Sequence, residues 1–143
     1  MHTVRGPMLF EMTIASRLED VPLLSDGLCQ VLVPRFGEGN LAKLQIGLAE
    51  AANNIVQHAC RGRGDGRIAL SCRLDGDGIL LVLEDDGAAP ERDLNEAAAE
   101  AVANPPDVFA ESGRGLWLLS QCFPSVLFER TSSVNRLTLR YPA

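Results

Sequence analysis

The chain has 143 residues, 46% hydrophobic and 22% charged, with a net charge of −6. That is the length of one domain, enough to bury roughly two-thirds of the unfolded chain's surface, and its composition is globular rather than disordered. Lys43 is the only lysine among 13 basic residues, so the clustered basic surface that phosphate backbones require is lacking and nucleic acid is excluded as a direct partner.

Residues 1–8 read as a tail, overlapping nothing periodic. Residues 9–16 then alternate, with Phe10, Met12 and Ile14 on one side and Glu11 and Thr13 on the other, as in a half-buried strand. Val21, Leu24, Leu28, Val31 and Leu32 recur at helical spacing over 20–33, where Asp20 and Pro22 suit a helix start. Pro34, Gly37 and Gly39 interrupt the chain, and Asn40 is placed to cap a second helix over 41–59. Its apolar stripe is Leu41, Leu44, Leu48, Ala51, Ile55 and Ala59. Gly62, Gly64 and Gly66 end it, and the small basic cluster of Arg61, Arg63, Arg67 and Arg73 decorates a loop and an exposed strand face.

Residues 67–74 alternate again, Asp75-Gly76-Asp77-Gly78 is a hairpin turn signal, and Ile79 to Leu83 is apolar enough for a central strand. Residues 88–112 are alanine-rich, acidic, weakly periodic and broken by Pro105-Pro106. Such a stretch reads as a lid with neither a stable helix nor a strand. A short helix over 114–123 stops at Pro124, and 125–130 with 134–141 form a closing hairpin. The order βαα-ββ-lid-α-ββ predicts one α+β domain: a two-layer sandwich with a mixed, mostly antiparallel sheet and helices on one face.

Cys29, Cys60, Cys72 and Cys122 lie far apart in apolar settings, which suits small buried hydrophobes better than disulfides or zinc. Neither a signal peptide nor a run of ~20 apolar residues is apparent, so a cytoplasmic protein without a membrane anchor is expected.

Three segments carry chemistry. Glu50, Asn54 and His58 are spaced by four and share a helix face. Alone, that stripe also fits a solvated face, although two adjacent asparagines, Asn53 and Asn54, are poor helix formers. An asparagine oxygen is a hard neutral ligand for phosphate-bound Mg²⁺, and a glutamate one turn earlier can deprotonate an attacking hydroxyl. Asp85-Asp86-Gly87 ends a buried strand. It is either a simple turn or a carboxylate that accepts from the amine of adenine, with Gly87 admitting the base close to the backbone. Gly113-Arg114-Gly115 opens a helix, where free N–H groups and the positive dipole end hold phosphates. Tight packing explains a lone G-x-G equally well. Their order, with the lid between the second and third, describes a pocket for a nucleotide, its metal and its phosphates, with ATP the first expectation.

In these residues the chain resembles the GHKL-type (Bergerat-fold) ATPase domains, most closely the bacterial anti-sigma-factor serine/threonine kinases of the partner-switching type. The resemblance covers roughly residues 9–141. It implies that Glu50 is the catalytic base, Asn54 the Mg²⁺ ligand within a motif that includes His58, and Asp85 the adenine reader with Gly87 beside it. Gly113, Arg114, Gly115 and Leu116 would lie by the phosphates. It further implies a serine or threonine on an anti-anti-sigma (STAS-type) protein as substrate and a sigma factor as competing partner; a homodimer is one assembly the sequence leaves open. Ala88-Ala89-Pro90 and Ser112 depart from the family pattern, on either side of the lid.

Two other functions fit the same motifs. One is a module that binds ATP and sequesters a partner without phosphorylating it, against which Glu50 argues. The other is a detached histidine-kinase catalytic domain, although the chain carries no helical hairpin with a phosphoacceptor histidine, His58 belonging to the first motif and His2 to the tail.

Overall fold

A computed structural model describes residues 6–61, 63–106 and 114–142. Five strands form one sheet: β1 (Met8–Ala15), β2 (Arg67–Asp75), β3 (Gly78–Asp85), β4 (Ser125–Thr131) and β5 (Val134–Tyr141), in the order β1-β2-β3-β5-β4. All four pairings are antiparallel, so the sheet contains no parallel pair among the described residues. The helices are α1 (Val21–Phe36), α2 (Ala42–Asn54), α3 (Leu94–Ala103) and α4 (Arg114–Cys122).

Alternation decides which face of the sheet is covered. Ile68, Leu70 and Cys72 of β2, Ile79, Leu81 and Leu83 of β3, and Leu137 and Leu139 of β5 are buried. They meet Leu24, Leu28 and Leu32 of α1, Leu44 and Leu48 of α2, and Leu119 of α4 in one core. Full burial of a leucine or isoleucine contributes about 1.5–3 kcal/mol, so this layer dominates the fold's stability. The four cysteines are buried and free, and burial pushes the Cys72 thiol up to about 12, which makes it chemically inert.

Four expectations need correction. Helix α1 runs on through Pro34 to Phe36, since a proline in the last turn leaves most of the hydrogen-bond ladder intact. Asn40 does not cap α2; its Nδ2 donates to the Phe36 carbonyl (2.6 Å) and so closes the end of α1 instead. The second helix is not α-helical to 59, because Ile55–Ala59 widen into a π turn. Residues 88–112 do hold a helix. Asp93 Oδ1 accepts from the N–H groups of Asn95 and Glu96 at 2.9 and 3.1 Å, and the run that follows is rich in alanine, which has the highest helix propensity of any residue type. Residues 107–113 lie outside the described residues, with Val108, Phe109, Ser112 and Gly113 among them.

Candidate active site

Helix α2 presents Glu50 and Asn54 one turn apart, and α4 brings Gly115 against both. A methyl group on Gly115 would stand 2.7 Å from Glu50 Oε1 and 2.9 Å from Asn54 Nδ2. Both side chains are half-buried, so two of the three motifs meet here and the stripe is not a solvated helix face. His58 parts from them. It sits in the π turn, which an i→i+5 bond from Cys60 N to Ile55 O closes at 2.9 Å, and its side chain is exposed. π turns inside helices are frequent at functional sites, where they re-aim side chains.

The second motif reaches the same place from the sheet. Asp85, the last residue of β3, is buried and accepts two hydrogen bonds on one oxygen, Oδ1. The donors are Gly87 N and Asn135 Nδ2, each at 2.9 Å. Burial pushes the Asp85 carboxyl above its ordinary value; these two bonds and Arg130 pull it down, while Asp86 adds to the upward push. Gly87 has a packing reason of its own. A methyl there would lie 2.6 Å from the Ala59 carbonyl, and Ala88 N donates to that oxygen at 2.8 Å. This close contact with the π turn ties the end of β3 to the end of α2.

A cavity of about 1230 Å³ lies between these elements. Asn54, His58, Asp85, Gly115 and Leu116 line it, whereas Glu50, Gly87 and Arg114 do not. Leu116 is buried, and Arg114 is the exposed first residue of α4. Glu50 is half-buried against Gly115. Gly113 lies outside the described residues.

Several wall residues carried no signal that sequence reading used. Arg61, expected on a surface loop, lines the cavity just after the π turn with a φ of 51°. Arg92, before α3, and Asn95, in its first turn, line it from one side, and Arg130 and Asn135 from the closing hairpin. Asn135 pairs with Asp85 in the β3–β5 register, and Arg130 with Asn135 in the β4–β5 register. Only strand register could have brought these residues together.

Among the described residues no group of three His, Cys, Asp or Glu side chains could hold a metal. The donor chemistry fits a hard cation arriving with phosphates, for which Asn54 offers one neutral oxygen in the wall. No described helix is long and apolar enough to cross a membrane.

Over 133 residues the chain is 28% identical to a Bacillus pumilus (strain SAFR-032) protein named serine-protein kinase RsbW, the alignment covering 89% of this chain and 82% of that protein. The chain also matches the histidine kinase-like ATPase domain across residues 14–141, from the end of β1 to the end of β5. On that match, it belongs to the histidine kinase-like ATPase family.

Proposed function

We propose that the protein is an ATP-dependent serine/threonine kinase that acts as an anti-sigma regulatory factor in the cytoplasm. Its substrate would be a serine or threonine on a STAS-type anti-anti-sigma protein, and a sigma factor its competing partner. The observation that carries this reading is the convergence of Asn54, Gly115 and Asp85 on one cavity. The likeness to a serine-protein kinase supports the choice of acceptor.

In this reading Asp85 accepts from the exocyclic amine of adenine with the oxygen that Gly87 and Asn135 leave unused. The start of α4, with Arg114 and Gly115, offers backbone N–H groups to the phosphates, a role the motif extends to Gly113. Asn54 Oδ1 would hold Mg²⁺, which when bound neutralises phosphate charge during transfer. Glu50 takes the proton from the acceptor hydroxyl as it attacks the γ-phosphorus, and the bond to the ADP leaving oxygen breaks.

One feature favours a second reading, a sequestering module without transfer. Glu50 is half-buried against Gly115, so its access to an acceptor hydroxyl in the cavity is the point on which the two readings part. Radiolabelled ATP, Mg²⁺ and candidate STAS proteins separate the two. The kinase reading expects a labelled serine or threonine, with Glu50→Gln slowing transfer by roughly 10²-fold or more while ATP still binds. Binding without label transfer to any such protein would leave the sequestering module.

A further inference from the structure

Asp85 belongs to a chain of polar contacts that runs out to the protein surface through the β4–β5 hairpin. Asn135 uses its whole amide. Its Nδ2 donates to Asp85 Oδ1 (2.9 Å) and to the Ala88 carbonyl (3.0 Å), and its Oδ1 accepts from Arg130 Nη1 (2.8 Å). The same Arg130 nitrogen donates to the Gly87 carbonyl at 3.2 Å. Both ends of the Gly87-Ala88 step are therefore held from one hairpin.

The polarity of these hydrogen bonds is fixed. Guanidinium groups only donate, so Arg130 demands the oxygen of the Asn135 amide. The nitrogen must then face Asp85 and Ala88. An inverted amide would set Nδ2 against Arg130 and Oδ1 against two acceptors, breaking all three bonds.

The turn that brings Arg130 opposite Asn135 is itself costly. Ser132 and Ser133 have φ values of 51° and 69°, a left-handed conformation disfavoured for residues with a side chain. Strain of this kind persists where the surrounding structure over-determines it.

We propose that Arg130 and Asn135 are positioning residues that hold the Asp85 carboxylate oriented and charged in the cavity wall, with Arg130 acting largely through the Asn135 amide. The inference rests on the reading of Asp85 as the acceptor for the base. Three groups must be weighed around that carboxylate. Asp86, next in the chain, opposes its ionisation, and Arg130 on the hairpin favours it. The Cys60 thiol, past the π turn, senses the Asp85 charge and is raised mainly by its own burial.

The test is a carbon-13 titration of the Asp85 carboxyl in the ligand-free protein, with Arg130→Ala, Asn135→Ala and the double variant. ATP affinity is measured in parallel. Each single variant should move the Asp85 midpoint upward by about half a pH unit or more. The double variant should move it little further than Asn135→Ala alone, since Arg130 acts through that amide. Arg130→Lys, which keeps the charge, should recover part of the shift.

Unchanged midpoints with a lowered melting temperature would reduce the hairpin contacts to structural ones and overturn the proposal. Full additivity would overturn the relay. Arg130 is exposed, so Arg130→Ala keeps the test decisive if Asn135→Ala fails to fold. Midpoints that move as expected while ATP affinity stays the same at every pH would uphold the positioning role and remove Asp85 as the reader of the base.

Discussion

Asn95, on α3, and Phe128, on β4, exchange two hydrogen bonds: Asn95 Nδ2 donates to the Phe128 carbonyl at 2.9 Å, and Phe128 N donates to Asn95 Oδ1 at 2.8 Å. The side-chain amide thus serves the outer edge of β4 as the backbone of a sixth strand would, and it pins the segment between the second and third motifs to the sheet. Unpaired strand edges invite other chains, so the interaction protects β4 as well.

Replacing Asn95 by alanine should free α3 locally. Removing both bonds costs about 1 kcal/mol, which speeds hydrogen exchange across 94–103 about fivefold while β2 and β3 keep their protection. Unchanged exchange in 94–103 would mean that packing alone holds the helix.

Gly115→Ala separates stability from binding. Alanine is the better helix former by about 1 kcal/mol, and the atoms its methyl would strike are the mobile ends of Glu50 and Asn54. The fold should therefore lose little, and its melting temperature should stay near that of the native chain. Displacement of Asn54 should nonetheless weaken Mg·ATP binding tenfold or more, the scale of a single polar interaction. Calorimetry alongside thermal melts checks both halves.

The raised Asp85 carboxyl has consequences of definite sign. The native state holds this proton more tightly than the unfolded chain does. Its contribution to stability is full below the unfolded value and is lost as pH rises through the folded one. Asp85→Asn removes that loss, so the ligand-free variant should gain on the native protein in thermal melts as pH rises from the ordinary carboxylate value through the higher folded one. ATP affinity should fall in the native protein as pH drops through the folded value, because the protonated carboxyl no longer presents a charged acceptor.

The Ser132-Ser133 turn should be open to improvement. An Asn-Gly pair takes positive φ at both positions far more readily, so Ser132→Asn with Ser133→Gly should stabilise the fold by about 1–2 kcal/mol in urea titrations. A drop in stability instead would show that the serine hydroxyls make interactions this geometry does not require.

The strands and the core were legible because alternation at Ile68-Leu70-Cys72 or Phe10-Met12-Ile14 has one structural meaning. The three motifs were legible as residue types at fixed spacing. Helix α3 was missed because its alanines carry no apolar period, although Asp93 with Glu96 three residues on is a start signal that could have located it. The π turn packs against Gly87 and Ala88, an approach between residues far apart in the chain that no local pattern encodes. Asn135 and Arg130 were invisible for a related reason. An asparagine and an arginine beside a turn look like ordinary surface residues until the register sets one of them opposite Asp85.

The proposed contact between Asp85 and the adenine of ATP is tested most directly by one calorimetric comparison. Native protein is titrated with Mg·ATP and with Mg·GTP, which carries a carbonyl where adenine carries its amine. A charge-assisted hydrogen bond in a water-poor pocket is worth about 1.5–3 kcal/mol, so GTP, unable to donate it, should bind at least tenfold more weakly. Asp85→Asn should erase most of that preference. Equal affinity of the native protein for the two nucleotides would remove Asp85 as the reader of adenine.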